Sequence, residues 1–578
     1  MIRNITAGGG FLFAALAQLG AEQTIIEIID EMIRNFPEGR EKSQLRIIAH
    51  QQVTILKYIR TLLFLPVFGM KRPIELDDYE GKTLGILASP INGNGVGRYR
   101  STDRFLRELA KLKPGYLMSV RLAANYYNAF YSEESENGMR VFIDGHFKAI
   151  WTLKNIPRGK HGMMDKIMPG LEQVFLNGPR GHPLLHTTHP GDTSLKDHIL
   201  SHIEEFERAI GKEVVNFVVI DNEGCSYDVF KMFETINECR EQKIYLLTIL
   251  RDNQYRFPDD FRVQVTFGGE ITYHPFTEKD FHRFQRDRKG RLISQVALAE
   301  FNYQSNANRR GKKGEFMLRC AVVKKVRTDK ISIIVTNAPW DVIPSGKKLA
   351  QGYYYRWPCQ EAKFKEMAWL CNLNVNHGFS KKEVSNRMAK RKLEKALKTL
   401  VYDQRRLDNL GKELSTLEDR ISADKGEGVR ALRRREKRED LRKKRKGLLK
   451  KIEKDLKEVG KWEDKFATEP LYEIDTEMDY VMSNLKVLLE NMFLYVHEKF
   501  FNAGPPYGIG LLLRTFIDHY GDLEIVKDKN DGLTYRFILN GFDNRKHRSV
   551  ARMACERVNL MKNRTIEGIK IEMRVKRR

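Results

Sequence analysis

Residues 213–221 read EVVNFVVID, an almost unbroken apolar run that stops at the acidic residue Asp221. Such a run predicts a strand that is buried on both faces, as in the middle of a parallel sheet. Downstream, a helix with Ser226 as its N-cap is predicted over 226–240, and a second buried strand (KIYLLTIL) over 243–250. The succession of strand, helix and strand predicts an α/β sheet centred on this segment.

The chain upstream supplies further strands of the same sheet. Residues 140–143 (RVFI) form a short buried-strand pattern that ends at Asp144, and Gly145 is expected to turn the chain into a second strand over 147–153. A third strand is predicted at 182–187, and a helix follows it. The order of three strands, a helix, a strand, a helix and a strand is typical of a mixed α/β sheet of the RNase H-like type.

A heptad repeat marks the most basic part of the chain. The repeat consists of Leu393, Leu400, Leu407, Leu414 and Ile421, with Leu410 and Leu417 in the companion seam. Gly426 and Gly428 interrupt it, and a second basic helix over 429–459 then predicts an antiparallel helical hairpin. Residues 381–460 carry 28 Lys and Arg against 15 Asp and Glu. The run RKKRK at 442–446 makes a DNA-contacting face as plausible as a solvated one.

The charge balance of the whole chain favours a polyanionic partner. It has 101 Lys and Arg against 76 Asp and Glu, a net charge of +25. Nucleic acid is the first expectation, because each neutralised phosphate releases a counterion. The six cysteines include no C-x-x-C pair, so we expect reduced thiols and neither a zinc ribbon nor a disulfide framework. No transmembrane segment is predicted, and a cytoplasmic, nucleoid-associated location is expected.

Composition and periodicity divide the chain into six regions. Helical patterns dominate the N-terminal part, strand patterns with turn residues follow the α/β core, and a helical stretch precedes a small β-containing end. The predicted regions are an N-terminal helical region that binds DNA ends or acts as a scaffold (1–135), the first part of the core (136–253), an all-β insertion (254–350), the helix that completes the core (351–380), the basic coiled-coil hairpin (381–465) and a C-terminal α+β region (466–578).

Two of the predicted strands end in an aspartate, Asp144 and Asp221. Hydrolysis and transfer of a phosphodiester by two divalent cations needs only a few carboxylates on rigid elements at a sheet edge. Each aspartate alone is weak evidence, since strands often end in Asp for reasons of turn geometry. Placed at the first and fourth strands, the pair predicts a metal site at one edge of the sheet.

Residues 353–365 read YYYRWPCQEAKFK. The pattern Tyr-x-x-Arg-Trp followed by Glu-x-x-Phe-Lys resembles the signature of DDE transposases of bacterial insertion sequences, in the branch with a β-strand insertion before the catalytic Glu. The stretch LTILRDNQYR at 247–256 and both aspartate strands are also similar, and the resemblance covers roughly residues 40–380. It implies an RNase H-like core in which Asp144, Asp221 and Glu361 are the catalytic residues and bind two Mg²⁺ or Mn²⁺ ions.

The resemblance also implies residues that bind DNA. Tyr353 and Arg356 match residues that hold the terminal phosphates of a transposon end, and a guanidinium fork suits phosphate well. Trp357 either packs in the core or, as a residue that binds DNA, stacks on a flipped base. Lys365 is the nearest match for the signature lysine.

The chain departs from the family pattern at two places. The spacing from Arg356 to Glu361 is one residue longer than usual, and the lysine follows Glu361 by four residues, whereas Ala368 occupies the usual place seven residues on. Glu366 therefore remains an alternative third carboxylate, and the role of Lys365 stays open.

Several nearby polar and aromatic residues allow two interpretations each. The basic residues close to the predicted carboxylates either bind phosphate or form salt bridges, the acidic ones after Asp221 are either outer groups of the metal site or solvated, and a further tryptophan either stacks on DNA or packs. These residues are His146, Lys148 and Arg251, then Glu223 and Asp228, then Trp340.

The resemblance implies an enzyme that binds the terminal inverted repeats of a mobile element and cuts the DNA there. The freed 3′-hydroxyl then attacks a phosphodiester across the duplex or in target DNA. Its partner is double-stranded DNA, a homodimer on DNA is expected because two ends are brought together, and no membrane is involved. An RNase H-like nuclease and an inactive, transposase-derived DNA-binding protein are the alternatives, and a non-enzymatic coiled-coil DNA-binding protein is a further one.

Overall fold

The computed structural model describes residues 1–39, 42, 45, 52–79, 82–88, 98–133, 138–162, 164–267, 270–304, 315–378, 380–423, 429–502, 508–528 and 532–576. The fold is mixed α/β. The chain separates into two compact units. The first, called the core unit here, comprises Met1–Lys148, Leu171–Gly378 and Thr476–Arg578, and the second, called the hairpin unit, comprises Ala149–Gly170 and Phe379–Asp475.

The core unit begins with a short strand and a group of helices. The strand, Ile2–Ile5, pairs antiparallel with Gly521–Asp528 near the other end of the chain, so the predicted N-terminal helical region is not purely helical. The helices supply many of the largest buried side chains of the unit. They are Gly9–Gln18, Ala21–Asn35, Gln52–Phe64, Thr83–Ala88, Tyr99–Leu112 and Gly115–Phe130.

The central sheet of the core unit is built around two strands that carry the predicted aspartates. The Asp144 strand (Met139–Ala149) pairs in parallel with Val215–Val219, called the Asp221 strand here, and that strand pairs in parallel with Tyr245–Ile249. On the other side of the Asp144 strand lies Lys166–Asn177, which pairs antiparallel with Pro183–Pro190. Helices Ile199–Ile210 and Tyr227–Cys239 connect the parallel strands.

One prediction about this sheet is wrong, and one strand of it was not predicted. The Asp144 strand runs on through Gly145 to Ala149, so the predicted turn at Gly145 and the separate strand over 147–153 do not exist. The long strand Lys166–Asn177 was missed. Its Pro169 and Gly170 break the strand pattern in the sequence, because both residue types are uncommon inside strands. The predicted strand at 182–187 is confirmed as Pro183–Pro190.

The β-rich region continues the same sheet. Ile331–Thr336 pairs antiparallel with Tyr245–Ile249, and the long strands Glu315–Lys325 and Leu292–Gln304 follow in that order across the sheet. The remaining strands of this region are Phe261–Phe267, Glu270–Pro275 and His282–Arg286. A helix (Gly346–Tyr354), a π-helical turn (Trp357–Glu361) and a further helix (Ala362–Leu370) then bring the chain back to the aspartate strands.

One C-terminal helix, Glu477–Tyr495, is buried from Asp479 to Tyr495. A helix surrounded on all sides forms part of a core, and its polar side chains therefore need partners inside the protein. Beyond it, Gly521–Asp528, Gly532–Leu539 and Lys570–Val575 form a sheet with Ile2–Ile5, next to the helix Arg545–Leu560.

The hairpin unit contains two long helices, Arg387–Ala423 and Val429–Thr468, of 37 and 40 residues. As the heptad predicts, Leu400 packs against Leu448 and Ile452, and further along Leu414 and Leu417 pack against Leu441. Ion pairs of Lys437 with Glu413 and of Lys451 with Asp403 cross between the helices in antiparallel register. Gly426 and Gly428 lie outside the described residues. The short strands of this unit are Arg158–His161, Lys381–Val384 and Leu471–Ile474.

Helix length and apolarity were also compared with what crossing a membrane requires. Over the described ranges, no single helix meets both requirements, and only the bent pair Gly9–Gln18 and Ala21–Asn35 meets them when the two helices are taken together.

Candidate active site

Three carboxylates from distant parts of the sequence meet at the guanidinium of Arg356. Its Nη1 lies 3.4 Å from Oδ2 of Asp144, and its Nη2 lies 3.6 Å from Oδ2 of Asp221 and 2.7 Å from Oε1 of Glu361. Because Oδ2 of Asp221 and Oε1 of Glu361 both contact Nη2, the distance between these two oxygens cannot exceed the two contact distances combined. The structure thus brings the three predicted catalytic residues together in one cluster, called the acidic triad here.

The two aspartates are neighbours because of the register of their strands. Phe142 lies beside Val219 in the parallel pair, and Asp144 and Asp221 each follow by two residues. Asp144 accepts a hydrogen bond from the backbone N–H of Gly145, at 2.9 Å, and Asp221 accepts one from that of Asn222, at 2.7 Å. These local bonds fix both carboxylates at the same edge of the sheet.

Glu361 reaches the triad because the chain forms a π-helical turn over Trp357–Glu361. In an α-helix, residues four apart share a face, whereas in a π-helix the hydrogen-bonded pair is five apart. Arg356 and Glu361 are five apart, and their side chains meet at 2.7 Å. The π-helical turn therefore absorbs the extra residue by which this chain departs from the transposase pattern.

The segment 177–181 packs against the π-helical turn and is joined to it by hydrogen bonds. Asn177 donates from Nδ2 to the carbonyl of Cys359 at 2.9 Å, and the Cys359 thiol donates to the carbonyl of Pro179 at 3.2 Å. Gly181 has a φ of +86°, and a Cβ there would lie 3.0 Å from the Cα of Cys359. Only glycine combines this backbone conformation with so close an approach.

Tyr353 orients Asp221 from the preceding helix. Its hydroxyl donates to Oδ1 of Asp221 at 3.0 Å, and the guanidinium of Arg356 lies over its ring at 5.7 Å. Burial raises the pKa of Tyr353, and the negative charge of Asp221 raises it further. The phenol therefore stays protonated and acts as a hydrogen-bond donor.

Burial dominates the electrostatics of the triad. It raises the pKa of Asp144 to about 7, against the opposing effect of Arg356 and together with the charge of Asp221. For Arg356, burial alone would lower the pKa, but the negative charges of Asp221, Asp144 and Glu361 outweigh it and the pKa is raised. The side chain of Asp221 is 41% exposed and that of Arg356 is 12% exposed, so solvent reaches the acidic triad at Asp221.

A fourth carboxylate, that of Glu172, lies beside the Asp144 strand. A Cβ built on Gly145 would fall 2.1 Å from Oε1 of Glu172, so a glycine at this position leaves the room that the carboxylate occupies. Burial raises the pKa of Glu172 to about 8, and the charges of Glu223 and Asp144 add to the effect. Sequence patterns missed Glu172, because the strand that carries it was not recognised.

The raised pKa values predict how the stability of the protein without metal depends on pH. Asp144 and Glu172 have ordinary values of 3.8 and 4.5 and folded values of about 7 and about 8. Between these limits the folded state binds more protons than the unfolded state, so stability is highest at low pH and falls as pH rises from about 4 to 8. The Glu172→Gln protein avoids the part of this loss that comes from Glu172, and its melting temperature at pH 9 is expected to be higher than that of the wild type by roughly 1–4 °C.

The measurement is a thermal melt in chelator from pH 5 to pH 9. Glu238→Gln, at an exposed glutamate, serves as the matched control and is expected to follow the wild type at every pH. If the melting temperatures of wild type and Glu172→Gln change with pH in the same way, the assignment of a buried carboxylate with a raised pKa at position 172 is contradicted.

The donor set of the triad suits a hard divalent cation, because all of its donors are carboxylate oxygens. Within the part of the chain that the structure describes, no group of three His, Cys, Asp or Glu side chains has its donor atoms arranged to bind one metal ion. In the triad the space between the oxygens is filled by a cation, the Arg356 guanidinium. The cluster thus attracts positive charge, and its carboxylate oxygens are the type of ligand that the predicted Mg²⁺ or Mn²⁺ prefers.

The predicted DNA-binding residues fall into two groups. Tyr353 and Arg356 contact the triad, whereas Trp357 and Lys365 lie outside it and contact each other, with the Lys365 Nζ 4.7 Å from the Trp357 ring centre. Trp357 is 55% exposed, so core packing is the wrong alternative for this residue. Its surface position leaves stacking on a base open.

Glu366, the alternative third carboxylate, points elsewhere. It pairs with Lys363 at 2.5 Å, and Lys363 lies 3.7 Å from the buried Glu490 of the C-terminal helix. The contact with Arg356 is made by Glu361. The geometry therefore favours Glu361 as the third member of the triad and gives Glu366 a packing role.

The remaining predicted residues are mostly structural. Lys148 is buried and pairs with Asp479 at 2.8 Å, so its interpretation as a phosphate ligand is wrong. His146 contacts Oδ1 of Asn374 at 2.8 Å, and the Trp340 indole donates to Glu300 at 2.8 Å. On the surface lie Arg251, Glu223 and Asp228.

Comparison with models of known protein families gives no match for this chain, and neither does comparison with curated protein sequences.

Proposed function

We propose that this chain is a DNA transposase of the DDE type, which binds the ends of a mobile element and catalyses metal-dependent DNA cleavage and strand transfer. One observation carries the proposal. Asp144, Asp221 and Glu361, which the signature selects from three distant segments, contact one guanidinium at the edge of one sheet. Packing alone gives no reason for three acidic side chains to converge in this way, since like charges repel.

The order of the strands supports an RNase H-like core. Five adjacent strands consist of an antiparallel pair, then the Asp144 strand, then two parallel strands linked by helices. This is the succession that the sequence predicts for that fold class, although the second strand lies elsewhere in the chain. We assign the β-rich region between Tyr245–Ile249 and the Glu361 turn to the β-strand insertion of the family.

The acidic triad would hold the divalent cations, which supply an activated water or 3′-hydroxyl and neutralise charge on the reacting phosphate. The protein's part is to orient the carboxylates. Tyr353 donates to Asp221, and the backbone N–H of Gly145 donates to Asp144. Because these bonds come from the rigid sheet and the adjoining helix, the oxygens keep one geometry while DNA enters and leaves.

Arg356 has a different role in the free and the DNA-bound protein. In the free protein its guanidinium neutralises the triad, and a planar fork of this kind is also the preferred partner of a phosphate. When DNA enters, Arg356 exchanges the carboxylates for a phosphate of the transposon end. The exchange vacates the space between the carboxylates at the moment at which the substrate is present.

The hairpin unit supplies a second DNA-binding surface in this proposal. Lys443, Arg445 and Lys446 are exposed on Val429–Thr468, and among the described residues none of the three has a carboxylate within ion-pair distance. Cations that are not neutralised by the protein itself are free to displace counterions from DNA. The other two members of the run, Arg442 and Lys444, pair with Glu418 and Asp440.

Replacing Lys443, Arg445 and Lys446 together by Gln is expected to weaken DNA binding and to flatten its dependence on salt. Each phosphate contact contributes about 0.9 to the slope of log K against log salt, so the slope should fall by about 2–3. Fluorescence anisotropy with a labelled duplex at several salt concentrations measures it. The charge-preserving variant Lys443→Arg, Arg445→Lys, Lys446→Arg should keep the wild-type slope, and an unchanged slope in the Gln variant would exclude this surface.

Incubation with Mg²⁺ and DNA carrying the element's inverted repeats tests the function itself. Transposase activity predicts cuts at the repeat ends that leave 3′-hydroxyls, followed by joining of those ends to a second DNA, and a complex with two chains and two ends. Cutting without joining would favour the RNase H-like nuclease. Binding without cutting at any divalent cation concentration would favour the inactive DNA-binding protein.

A further inference from the structure

Two tryptophans on the segment that carries Glu361 have exposed side chains. Trp357 is 55% exposed and Trp369 is 60% exposed. Tryptophan is among the more buried residue types on average, so two exposed examples on one short segment call for a physical explanation. Trp357 has the stacking role implied by the family resemblance, whereas Trp369 has no role in the site described above.

Trp369 belongs to the outer face of the helix Ala362–Leu370. On that helix Phe364, Met367 and Leu370 are buried, whereas Lys365 and Trp369 are exposed and lie four residues apart, as neighbours on one face. Lys365 in turn contacts Trp357. An aromatic, cationic, aromatic surface therefore runs from the π-helical turn outwards, and Trp369 lies about 12 Å along the helix from Glu361.

The position of the Trp369 ring is fixed by the C-terminal part of the core unit. A Cβ on Gly510 would lie 3.0 Å from a carbon of its six-membered ring, so the ring packs against a backbone that has no side chain there. The guanidinium of Arg514 lies 5.7 Å from the ring centre. An aromatic ring held in this way is pre-ordered, and ordering it costs little on binding.

The charge around the ring is positive. Among the described residues, neither Arg514 nor Lys365 has a carboxylate within ion-pair distance. Asp518 interacts with Arg514, and the pKa of Asp518 is raised by burial and lowered by the charge of Arg514. Flat apolar faces interleaved with unneutralised cations are the composition of surfaces that bind single-stranded nucleic acid, because bases stack and phosphates pair.

We propose that Trp369, flanked by Arg514 and Lys365, is a stacking platform for an unpaired nucleotide of the DNA strand that leaves the acidic triad. That the bound strand is DNA from a transposon end rests on the proposed function. Stacking of a base on Trp369 does not itself require that the protein cuts DNA. A base beyond the one at Trp357 stacks on the Trp369 ring. Arg514 and Lys365 bind the phosphates on either side of that nucleotide.

Binding measured in chelator, with no divalent cation, tests the platform separately from catalysis. The probes are a duplex with a three-nucleotide single-stranded overhang, the same duplex with abasic sites in the overhang, and a blunt duplex. Trp369→Ala is expected to lower affinity for the overhang about tenfold, in line with the loss of one stacked base, and to leave blunt-duplex binding unchanged. Trp369→Phe, which keeps an aromatic face, should recover most of the affinity.

The abasic probe provides the decisive comparison. Wild type should lose affinity when the bases are removed, and Trp369→Ala should lose much less, because the ring on which the base stacks is already missing. Trp151→Ala, at a tryptophan that is 82% exposed in the hairpin unit, is the matched control and should behave as wild type. Arg514→Gln should weaken binding of the intact and the abasic overhang alike.

Equal losses for wild type and Trp369→Ala on the abasic probe would overturn the proposal. So would a Trp369→Ala protein that binds every probe normally but changes its sedimentation, because the ring would then contact another copy of the chain. If the chain binds overhangs through Trp369 but never cuts DNA, the platform stands and the proposed function fails.

Discussion

The Asp144→Asn protein is expected to bind DNA ends as tightly as wild type and to cut them on the order of a thousandfold more slowly, or not at all. Asparagine keeps the size of the side chain and its hydrogen bond from Gly145 but removes the charge that a divalent cation needs. Asp221→Asn and Glu361→Gln should behave alike, because the three carboxylates act as one unit. Rates come from single-turnover cleavage at saturating DNA, with binding measured separately in chelator.

Two controls make this result specific. Asp228→Asn, at an exposed aspartate in the first turn of Tyr227–Cys239, should retain activity. Glu366→Gln should retain most of it, because Glu366 pairs with Lys363 and the contact with Arg356 comes from Glu361. Loss of activity in Glu366→Gln with retention in Glu361→Gln would show that the wrong glutamate has been assigned.

The largest effect on stability is expected from Lys148→Met. Lys148 and Asp479 are both fully buried, and Asp479 also accepts from the backbone N–H of His377 at 2.9 Å. Removing the cation leaves a buried carboxylate without its counter-charge, which costs about 3–5 kcal/mol. For a chain of this size the entropy of unfolding is on the order of 1.2 kcal/mol per degree, so the melting temperature should fall by roughly 2–4 °C.

The double variant Lys148→Met, Asp479→Leu separates a lost ion pair from lost packing. Because the double variant leaves no unpaired charge and fills a similar volume with apolar groups, it should recover much of the free energy of unfolding that Lys148→Met loses. Lys160→Met, at the exposed pair of Lys160 with Asp165, is the control and should change the melting temperature little. A double variant no more stable than Lys148→Met would show that the destabilisation comes from steric misfit.

The parts of the fold that depend on local pattern were predictable from the sequence. Apolar runs indicated the Asp221 strand and Tyr245–Ile249, and the heptad indicated both helices of the hairpin unit. The strand Lys166–Asn177 was not predictable, because it contains Pro169 and Gly170 and its partners come from distant residues. The helix Glu477–Tyr495 was predicted as a helix. Its burial from Asp479 onwards was not predictable, because its polar side chains are buried only where other parts of the chain supply their partners.

The site shows the same division. The signature selected Asp144, Asp221 and Glu361, and the structure brings them together, but the sequence contains no sign that Arg356 lies between them. The extra residue before Glu361 looked like a departure from the pattern, and only the π-helical turn shows how the chain accommodates it. For Lys148 the sequence left a phosphate ligand and a salt bridge open, and the structure shows a salt bridge to a residue that lies 331 positions away in sequence.

Crystals of the protein soaked in Mn²⁺ with a DNA end bound offer the most direct test of the central claim, through the anomalous scattering of the metal. The account predicts two peaks about 4 Å apart, each within coordination distance of the carboxylates of Asp144, Asp221 or Glu361, with Arg356 turned from the triad to a DNA phosphate. Manganese bound elsewhere, or an Arg356 guanidinium that still fills the space between the three carboxylates, would contradict it.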